Sequence, residues 1–191
     1  MLKIAHRINT IKQLKETPIE YGVEIDIRYE NDYLILHHDP FMTGELLEEW
    51  LRHYQHQLLI LNVKTEGIEE ACLSLLEKYN IKNYFFLDLS LPYLVKWTNK
   101  GLFQTAVRFS EIEPLDFVLQ FVGKTEWVWV DCFTYFPLDY RTYTILKQHF
   151  KICLVSPELH GHEHLSIADI KEHTRNMAID AVCTKKMSSW D

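Results

Sequence analysis

The sequence predicts a compact (β/α)8 TIM barrel with a reduced or missing final helix. Eight short apolar runs alternate with amphipathic segments along the 191 residues, a pattern typical of parallel strands joined by helical crossovers. Polar residues follow these runs at their carboxyl ends, where barrels of this kind carry their active sites. No linker-like tract divides the chain, so we expect a single domain over residues 1–191. A doubly wound open sheet is the alternative.

The predicted strands are short runs rich in β-branched, aromatic and other apolar residues. In chain order they cover residues 3–7, 23–28, 58–64, 84–89, 104–109, 126–133, 151–156 and 180–185. The segment 32–39 adds further extended chain, which we interpret as a hairpin arm or loop extension after the second strand.

The segments between these strands carry a helical pattern. Residues 67–80 place Ile68, Cys72 and Leu76 along one stripe. Residues 91–101 end in a glycine, which is common just after the last turn of a helix. The segments 138–150 and 166–174 fill the last two intervals. Only six residues follow Lys185, which is why we expect the final helix to be reduced or missing.

Composition narrows the class of protein. The chain has 20 Lys and Arg against 27 Asp and Glu, a net charge of -7, which argues against general nucleic-acid binding. It has neither a signal-like start nor an apolar run of membrane-spanning length, so we expect a cytoplasmic protein without a membrane span. The four cysteines form no CxxC pair, and we expect reduced thiols. Three of them lie in apolar strand-like runs and are interpreted as buried free thiols: Cys132, Cys153 and Cys183.

A polar residue stands near the carboxyl end of each predicted strand from the first to the seventh. The set is His6, Asp26, Asn62 with Lys64, Asp88, Arg108, Asp131 and Glu158. On several of these strands the position two residues earlier is apolar or small. Strands that are apolar early and polar late build a packed floor below a reactive mouth. The sequence therefore predicts that these side chains converge.

Two carboxylates and two histidines carry the strongest chemical signal. Glu24 and Asp26 lie two residues apart on one strand face and are suited to bind Mg²⁺ or Ca²⁺. In an antiparallel sheet the same VEIDIR segment would be an ordinary amphipathic strand, and that reading stays open. His6 and His38 are suited to general acid and base roles. His37 faces away from His38 in extended chain, so we assign it no chemistry.

Further polar residues have two readings each. Lys64 and Arg108 could clamp a phosphate, although salt bridges to neighbouring carboxylates explain Arg108 equally well. Glu158 is a weaker substrate-binding candidate. Three histidines stand at alternate positions and resemble a metal-binding tract: His160, His162 and His164. A proline before them and a glycine among them favour a solvated loop.

These residues together give the sequence a resemblance to the glycerophosphodiester phosphodiesterase family, within the phospholipase C-like phosphodiesterase barrels. The family has an early His-Arg, then Glu-x-Asp on the second strand, then His-Asp. This chain has His6-Arg7, Glu24-Ile25-Asp26 and His38-Asp39 in the same order and spacing. The match covers roughly the first 65 residues.

The resemblance implies a metal-dependent phosphodiesterase that acts on a small glycerol- or polyol-containing phosphodiester. His6 and His38 would be the acid–base pair, and Arg7 would contact the phosphate. Glu24 and Asp26 would bind the cation together with Asn62, which stands where the family has a glutamate. An amide oxygen can ligate a hard cation but brings no charge.

Two other functions are open at this stage, and so is the oligomeric state. One is a barrel whose chemistry has decayed and which binds a phosphorylated or sugar ligand. The other is a sugar-phosphate isomerase that uses the same carboxylates and metal. A missing last helix would leave apolar barrel surface uncovered, so we also expect a homodimer.

Overall fold

The computed structural model describes residues 1–162 and 165–191. Contacts divide the chain into two compact units. The site unit is Ala5–Trp97, and the second unit combines Met1–Ile4 with Thr98–Asp191. In both, strands alternate with helices, so the chain has a mixed α/β fold.

The strands of the described residues are β1 (Leu2–Ala5), β2 (Gly22–Glu30), β3 (Tyr33–Leu36), β4 (Glu45–Leu46), β5 (Leu59–Val63), β6 (Tyr84–Leu87), β7 (Ala106–Phe109), β8 (Trp127–Val130), β9 (Lys151–Val155) and β10 (Ala181–Thr184). The α-helices are α1 (Ile11–Glu16), α2 (Leu47–Leu51), α3 (Glu69–Lys78), α4 (Leu91–Asn99), α5 (Leu115–Leu119), α6 (Tyr140–Lys147) and α7 (Ile167–Thr174). Two short 3-10 helices cover Pro157–His160 and Met187–Trp190.

The sheet of the site unit has the order β4-β3-β2-β5-β6. Strands β2, β5 and β6 are parallel, while β3 and β4 extend the sheet as an antiparallel meander. Asp26 pairs with Asn62 in the β2–β5 register. Within β2 the apolar Ile25 and the charged Glu24 and Asp26 are all fully buried. The first six residues of β2 are therefore buried on both faces, and the carboxylates there need partners inside the protein.

The sheet of the second unit has the order β1-β10-β9-β8-β7. Strands β7 to β10 pair in parallel. Their carboxyl ends therefore lie at one edge of the sheet, which is where polar side chains follow the apolar strand cores. Arg108 lies beside Trp129 in the β7–β8 register, and Asp131 comes directly after β8.

The structure confirms the eight predicted strands and the four helices that the sequence places at 67–80, 91–101, 138–150 and 166–174. It also confirms the hairpin arm, as β3, and the buried free thiols. The predicted strand 126–133 begins one residue before β8 and runs three residues past its end. The Cys132 N–H bonds the Asp131 carboxylate, which takes this residue out of the ladder. None of the described helices has the length and apolarity that crossing a bilayer requires.

Candidate active site

The structure brings seven predicted site residues together in the site unit. His6 and Arg7 follow β1, Glu24 and Asp26 lie in β2, His38 follows β3, Asn62 lies in β5, and Lys64 follows it. His38 is positioned by the hairpin, because the N–H of His37 donates to the carbonyl of Asp26 at 3.1 Å. The convergence predicted for these side chains is thus found within one compact unit.

Glu24 is a fully buried carboxyl group with protein partners on both oxygens. Its Oε2 accepts the backbone N–H of Arg7 at 2.7 Å, and its Oε1 accepts Nδ2 of Asn62 at 2.8 Å. His6 Nε2 lies 3.8 Å from Oε2. Burial, helped by the charge of Asp26, raises the pKa of Glu24 to about 7. The Glu24 carboxylate is therefore favoured only when a positive charge, either a proton or a cation, binds to it.

Asp26 is buried in the same strand but stays ionised. Its Oδ1 accepts Nδ1 of His38 at 3.0 Å, its Oδ2 accepts Nδ2 of Asn9 at 2.9 Å, and Lys64 Nζ lies 3.7 Å from Oδ1. Burial alone would raise the pKa of Asp26. Hydrogen bonds from Asn9 and His38, with the charge of Lys64, outweigh burial and lower this pKa below its ordinary value.

The imidazole of His38 lies between Asp26 and Arg7. Arg7 Nη2 is 2.8 Å from His38 Nε2. A guanidinium can only donate hydrogen bonds, so Nε2 accepts and Nδ1 carries the proton that Asp26 receives. This tautomer gives His38 a lone pair on Nε2, which suits a general base. Arg7 occupies that lone pair here, and it holds a left-handed φ of 56°, which a side chain of this size adopts only at some cost.

Sequence reasoning missed Asn9, whose side-chain amide bonds both the carboxylate and the backbone of Asp26. Asn9 Nδ2 donates to the carboxylate, and Asn9 Oδ1 accepts the backbone N–H of Asp26 at 2.9 Å. The residue is placed by the start of α1, where Thr10 and Gln13 form a capping box. The Thr10-x-x-Gln13 spacing is a visible helix-start signal, but nothing in it indicates where the preceding side chain reaches.

Lys64 is shared between two carboxylates. Its Nζ lies 3.0 Å from Asp88 Oδ2, in addition to the contact with Asp26. Asp88, whose role the sequence left open, thus completes an ion-pair network at the strand ends. The predicted phosphate clamp by Lys64 stays a prediction.

The donor set at Glu24, Asp26 and Asn62 fits a hard divalent cation. Carboxylate and amide oxygens are the ligands that Mg²⁺ and Ca²⁺ take in proteins. Asn62 Oδ1 is buried and has no hydrogen-bond partner among the described residues, so one amide oxygen is left over for a ligand. The described residues contain no group of three or more His, Cys, Asp or Glu suited to a metal ion.

Arg108 and Asp131 belong to the second unit and bond each other. Arg108 Nη1 donates to Asp131 Oδ2, and Arg108 Nε lies 3.7 Å from Glu113 Oε1. The salt-bridge alternative for Arg108 is therefore confirmed. Burial alone would raise the pKa of Asp131, but donors from His160 and the charge of Arg108 lower it.

The structure describes two of the three alternate histidines, and both have hydrogen-bond partners. His160 ends a 3-10 helix, and its Nε2 bonds the buried carboxylate of Asp131. His162 Nε2 donates to the carbonyl of Cys132 at 2.5 Å. The loop prediction is wrong for His160, which belongs to the 3-10 helix, while His162 lies outside helices and strands. Asp131 and the Cys132 carbonyl give both side chains acceptors that the sequence does not reveal. His164 lies outside the described residues.

Glu158, the weaker substrate-binding candidate, is held by its own unit. Its Oε1 accepts the hydroxyl of Thr184 at 2.5 Å and the backbone N–H of Lys185 at 3.0 Å. Its other oxygen accepts the hydroxyl of Ser156. These bonds tie the ends of β9 and β10 together, so the carboxylate has a structural role whatever it binds.

The Asp131 network predicts an acid-sensitive contribution to stability. We expect Asp131→Asn to lower the free energy of unfolding by about 2 kcal/mol at pH 7, because Arg108 and His160 lose a buried charged partner. The folded-state pKa of Asp131 lies below its ordinary value of 3.8, so this contribution is present above about pH 4 and is lost as the pH falls through the folded-state pKa.

Urea unfolding of both proteins at pH 7 and pH 3 measures this effect. The gap between wild type and variant should shrink at pH 3. The exposed Asp116→Asn, on α5 of the same unit, should change stability little at either pH. A gap of equal size at both pH values would contradict the prediction.

The chain has an α/β fold in which parallel strands alternate with helices. Carboxylates and histidines lie together at the strand ends and form a polar site there. Glycerophosphodiester phosphodiesterase from Agrobacterium tumefaciens superposes with a TM-score of 0.67 at 12% identity, covering 96% of each chain. Glycerophosphoryl diester phosphodiesterase from Parabacteroides distasonis gives 0.62 at 14% identity, covering 96% of this chain and 82% of the other. The chain shares its fold with the glycerophosphodiester phosphodiesterases, and the predicted resemblance is confirmed at that level.

The chain is also similar in fold to a protein whose name is not that of a phosphodiesterase. A mutant tryptophan synthase alpha-subunit from Pyrococcus furiosus gives a TM-score of 0.53 at 14% identity, covering 96% of this chain and 86% of the other. The chain matches no protein-family model. No curated protein sequence matches it either. Function therefore has to be argued from the site residues.

Proposed function

We propose that this chain is a phosphodiesterase that hydrolyses a small glycerol- or polyol-containing phosphodiester by acid–base catalysis with His38 and His6. We further propose that its strands close into one (β/α)8 barrel over residues 1–191, and that the protein is cytoplasmic and homodimeric. The single observation that carries the activity is the Asp26–His38–Arg7 chain beside the buried Glu24. In this chain the oriented base, His38, contacts the guanidinium of Arg7, which is suited to bind phosphate.

Arg7 links substrate binding to the release of the base. A phosphodiester anion competes with His38 for the guanidinium, since an Arg fork pairs with two phosphate oxygens more strongly than with one neutral nitrogen. Movement of Arg7 onto the phosphate frees the lone pair on His38 Nε2. The backbone N–H of Arg7 stays on Glu24, so only the side chain has to move.

His38 then takes the proton from a substrate hydroxyl next to the phosphate. The hydroxyl oxygen forms a bond to phosphorus, and the bond from phosphorus to the leaving alcohol breaks. His6 gives a proton to the leaving oxygen, which balances the step and yields a cyclic phosphate that is released or hydrolysed. Asp26 stabilises the His38 imidazolium that forms, because the buried carboxylate stays ionised.

Glu24, Asp26 and Asn62 would hold a Mg²⁺ or Ca²⁺ ion. When bound, the cation supplies stabilisation of charge on the phosphoryl oxygens and lowers the pKa of the attacking hydroxyl. Lys64 adds positive charge at the same edge, 3.7 Å from Asp26. Arg108 and Glu158 are proposed as further substrate-binding residues, with their present partners as the competing role.

A panel of soluble phosphodiesters tests the proposal. Glycerophosphocholine, glycerophosphoethanolamine and a glycerophosphopolyol are incubated with the protein and Mg²⁺, Ca²⁺ or Mn²⁺, and products are followed by ³¹P NMR. We expect release of the alcohol and a transient cyclic phosphate. Binding without release of any alcohol would instead support the decayed binder. A sugar phosphate incubated under the same conditions tests the isomerase: its isomerisation, with no alcohol released from any phosphodiester, would support that function. Either result overturns the phosphodiesterase.

A further inference from the structure

An exposed apolar tip lies three residues beyond His38. It consists of Phe41 and Met42, in the loop between β3 and β4, with exposures of 91% and 52%. Phe41 also holds a left-handed φ of 61°, a conformation that a bulky residue rarely adopts. Single exposed apolar residues are ordinary. Two in sequence, one of them in strained backbone beside the proposed base, point to a function outside the folding of the chain.

The loop that carries this tip is fixed at its base. Leu36 pairs with Glu45 across β3 and β4. A Cβ added at Gly44 would lie 2.3 Å from the carbonyl oxygen of Leu36, so the loop closes against the strand backbone at a place only glycine fits. The carboxylate of Glu45 accepts the N–H of Ile11 at 2.7 Å, which ties the loop to the start of α1. The tip is therefore held beside the site.

A cavity of about 570 Å³ lies beside this loop. Arg7 and His38 line it, as do the loop residues Asp39 and Thr43 that precede and follow the tip. Most of its lining residues have polar side chains, which suits a phosphodiester head group. An apolar tip next to a polar cavity matches a substrate that is polar at the phosphate and apolar beyond it.

We propose that the Phe41–Met42 tip inserts into the surface of a zwitterionic lipid bilayer and brings lipid phosphodiesters to the cavity. This inference rests on the proposed function, and it adds a lipid surface as the source of the phosphodiester.

The size of the tip and the charge of the chain favour a bilayer over a second copy of the chain. Two such side chains bury at most about 400 Å², whereas a stable protein interface needs about 800 Å² from each partner. A loop tip, by contrast, reaches the acyl boundary of a bilayer without a matching surface. The net charge of -7 disfavours anionic lipids, so phosphatidylcholine is the appropriate test surface.

Sedimentation of the full chain with phosphatidylcholine vesicles tests the docking without any turnover. We expect the double variant Phe41→Ser, Met42→Ser to lower the lipid-bound fraction at least about tenfold. Phe41→Trp should retain binding. The matched control is Ile19→Ser, because Ile19 is 58% exposed in the turn before β2, and it should bind like wild type. Circular dichroism melts check that all variants fold.

Turnover is then compared on two substrates that share a head group. The double variant should hydrolyse soluble glycerophosphocholine at the wild-type rate. It should lose about tenfold on monoacyl phosphatidylcholine carried in the same vesicles. If the double variant sediments with vesicles as wild type does, the docking is overturned, whatever the turnover. The docking is also overturned if the double variant loses the dimer but keeps its lipid binding. Tip-dependent sedimentation without hydrolysis of any phosphodiester leaves the docking standing and overturns the proposed function.

Discussion

His38→Ala should lower kcat/KM for the soluble phosphodiester at least about a hundredfold, the usual size of a general-base contribution. The variant removes the only nitrogen in the Asp26–His38–Arg7 chain that can take a proton from the substrate. It also frees Arg7 to stay on the phosphate, so KM should change less than kcat. Initial rates over a range of substrate concentrations separate the two parameters.

The neighbouring histidine provides the matched control. His37 Nδ1 accepts the backbone N–H of Asp39 at 3.0 Å, and the bond from His37 to Asp26 joins backbone atoms, so alanine at this position keeps it. His37→Ala should therefore lose less than about fivefold. Equal losses in both variants would mean that the hairpin, not the imidazole of His38, supports activity. Rates unchanged by His38→Ala would remove the acid–base proposal.

The pattern of β2 shows how far the sequence alone could lead. Alternation places Glu24 and Asp26 on one face, but the same alternation describes a strand with a wet face. What decides between them is that β2 pairs in parallel with β5 and is buried on both sides. Parallel pairing was predictable from the order of strands and helices along the chain. The burial of the carboxylates followed from it.

The contacts that orient the site were harder to predict, because they depend on side-chain reach. Asn9 meets Asp26 only because the chain turns through the left-handed backbone of Arg7 before α1 begins. No residue pattern predicts such a turn at an arginine. The pairing of Arg7 with His38 likewise depends on two flexible side chains from different elements.

The second unit shows the same limit. Arg108 lies in β7, Asp131 follows β8 and His160 ends a 3-10 helix, and each is an ordinary surface residue when taken singly. In the site unit, strand β4 has only two residues, too few to carry an alternating pattern. Sequence periodicity could fix the main strands and helices here, while polar contacts between loops could not be derived from it.

Asn62→Glu should raise the affinity for Ca²⁺ or Mg²⁺ by about a hundredfold, because charge count among the ligands sets cation affinity over several decades. Asn62 is a neutral donor opposite two carboxylates, and its Nδ2 is spent on Glu24. A third carboxylate beside Glu24, whose pKa is already raised to about 7, cannot stay ionised without a cation. The variant should therefore be less stable than wild type in EDTA and gain more in Tm when cation is added.

Calorimetry and thermal melts with and without cation measure this directly, with no need for turnover. Asn62→Gln keeps the amide and changes only length, so it should not gain affinity. If Asn62→Glu binds no better than wild type while Asp26→Asn abolishes binding, the cation is held by Glu24 and Asp26 without a third donor. If neither change alters binding, the cation lies elsewhere and the two carboxylates of β2 serve only to orient His38 and Arg7. The substitution thus separates a metal-assisted phosphodiesterase from one that relies on its own cationic side chains.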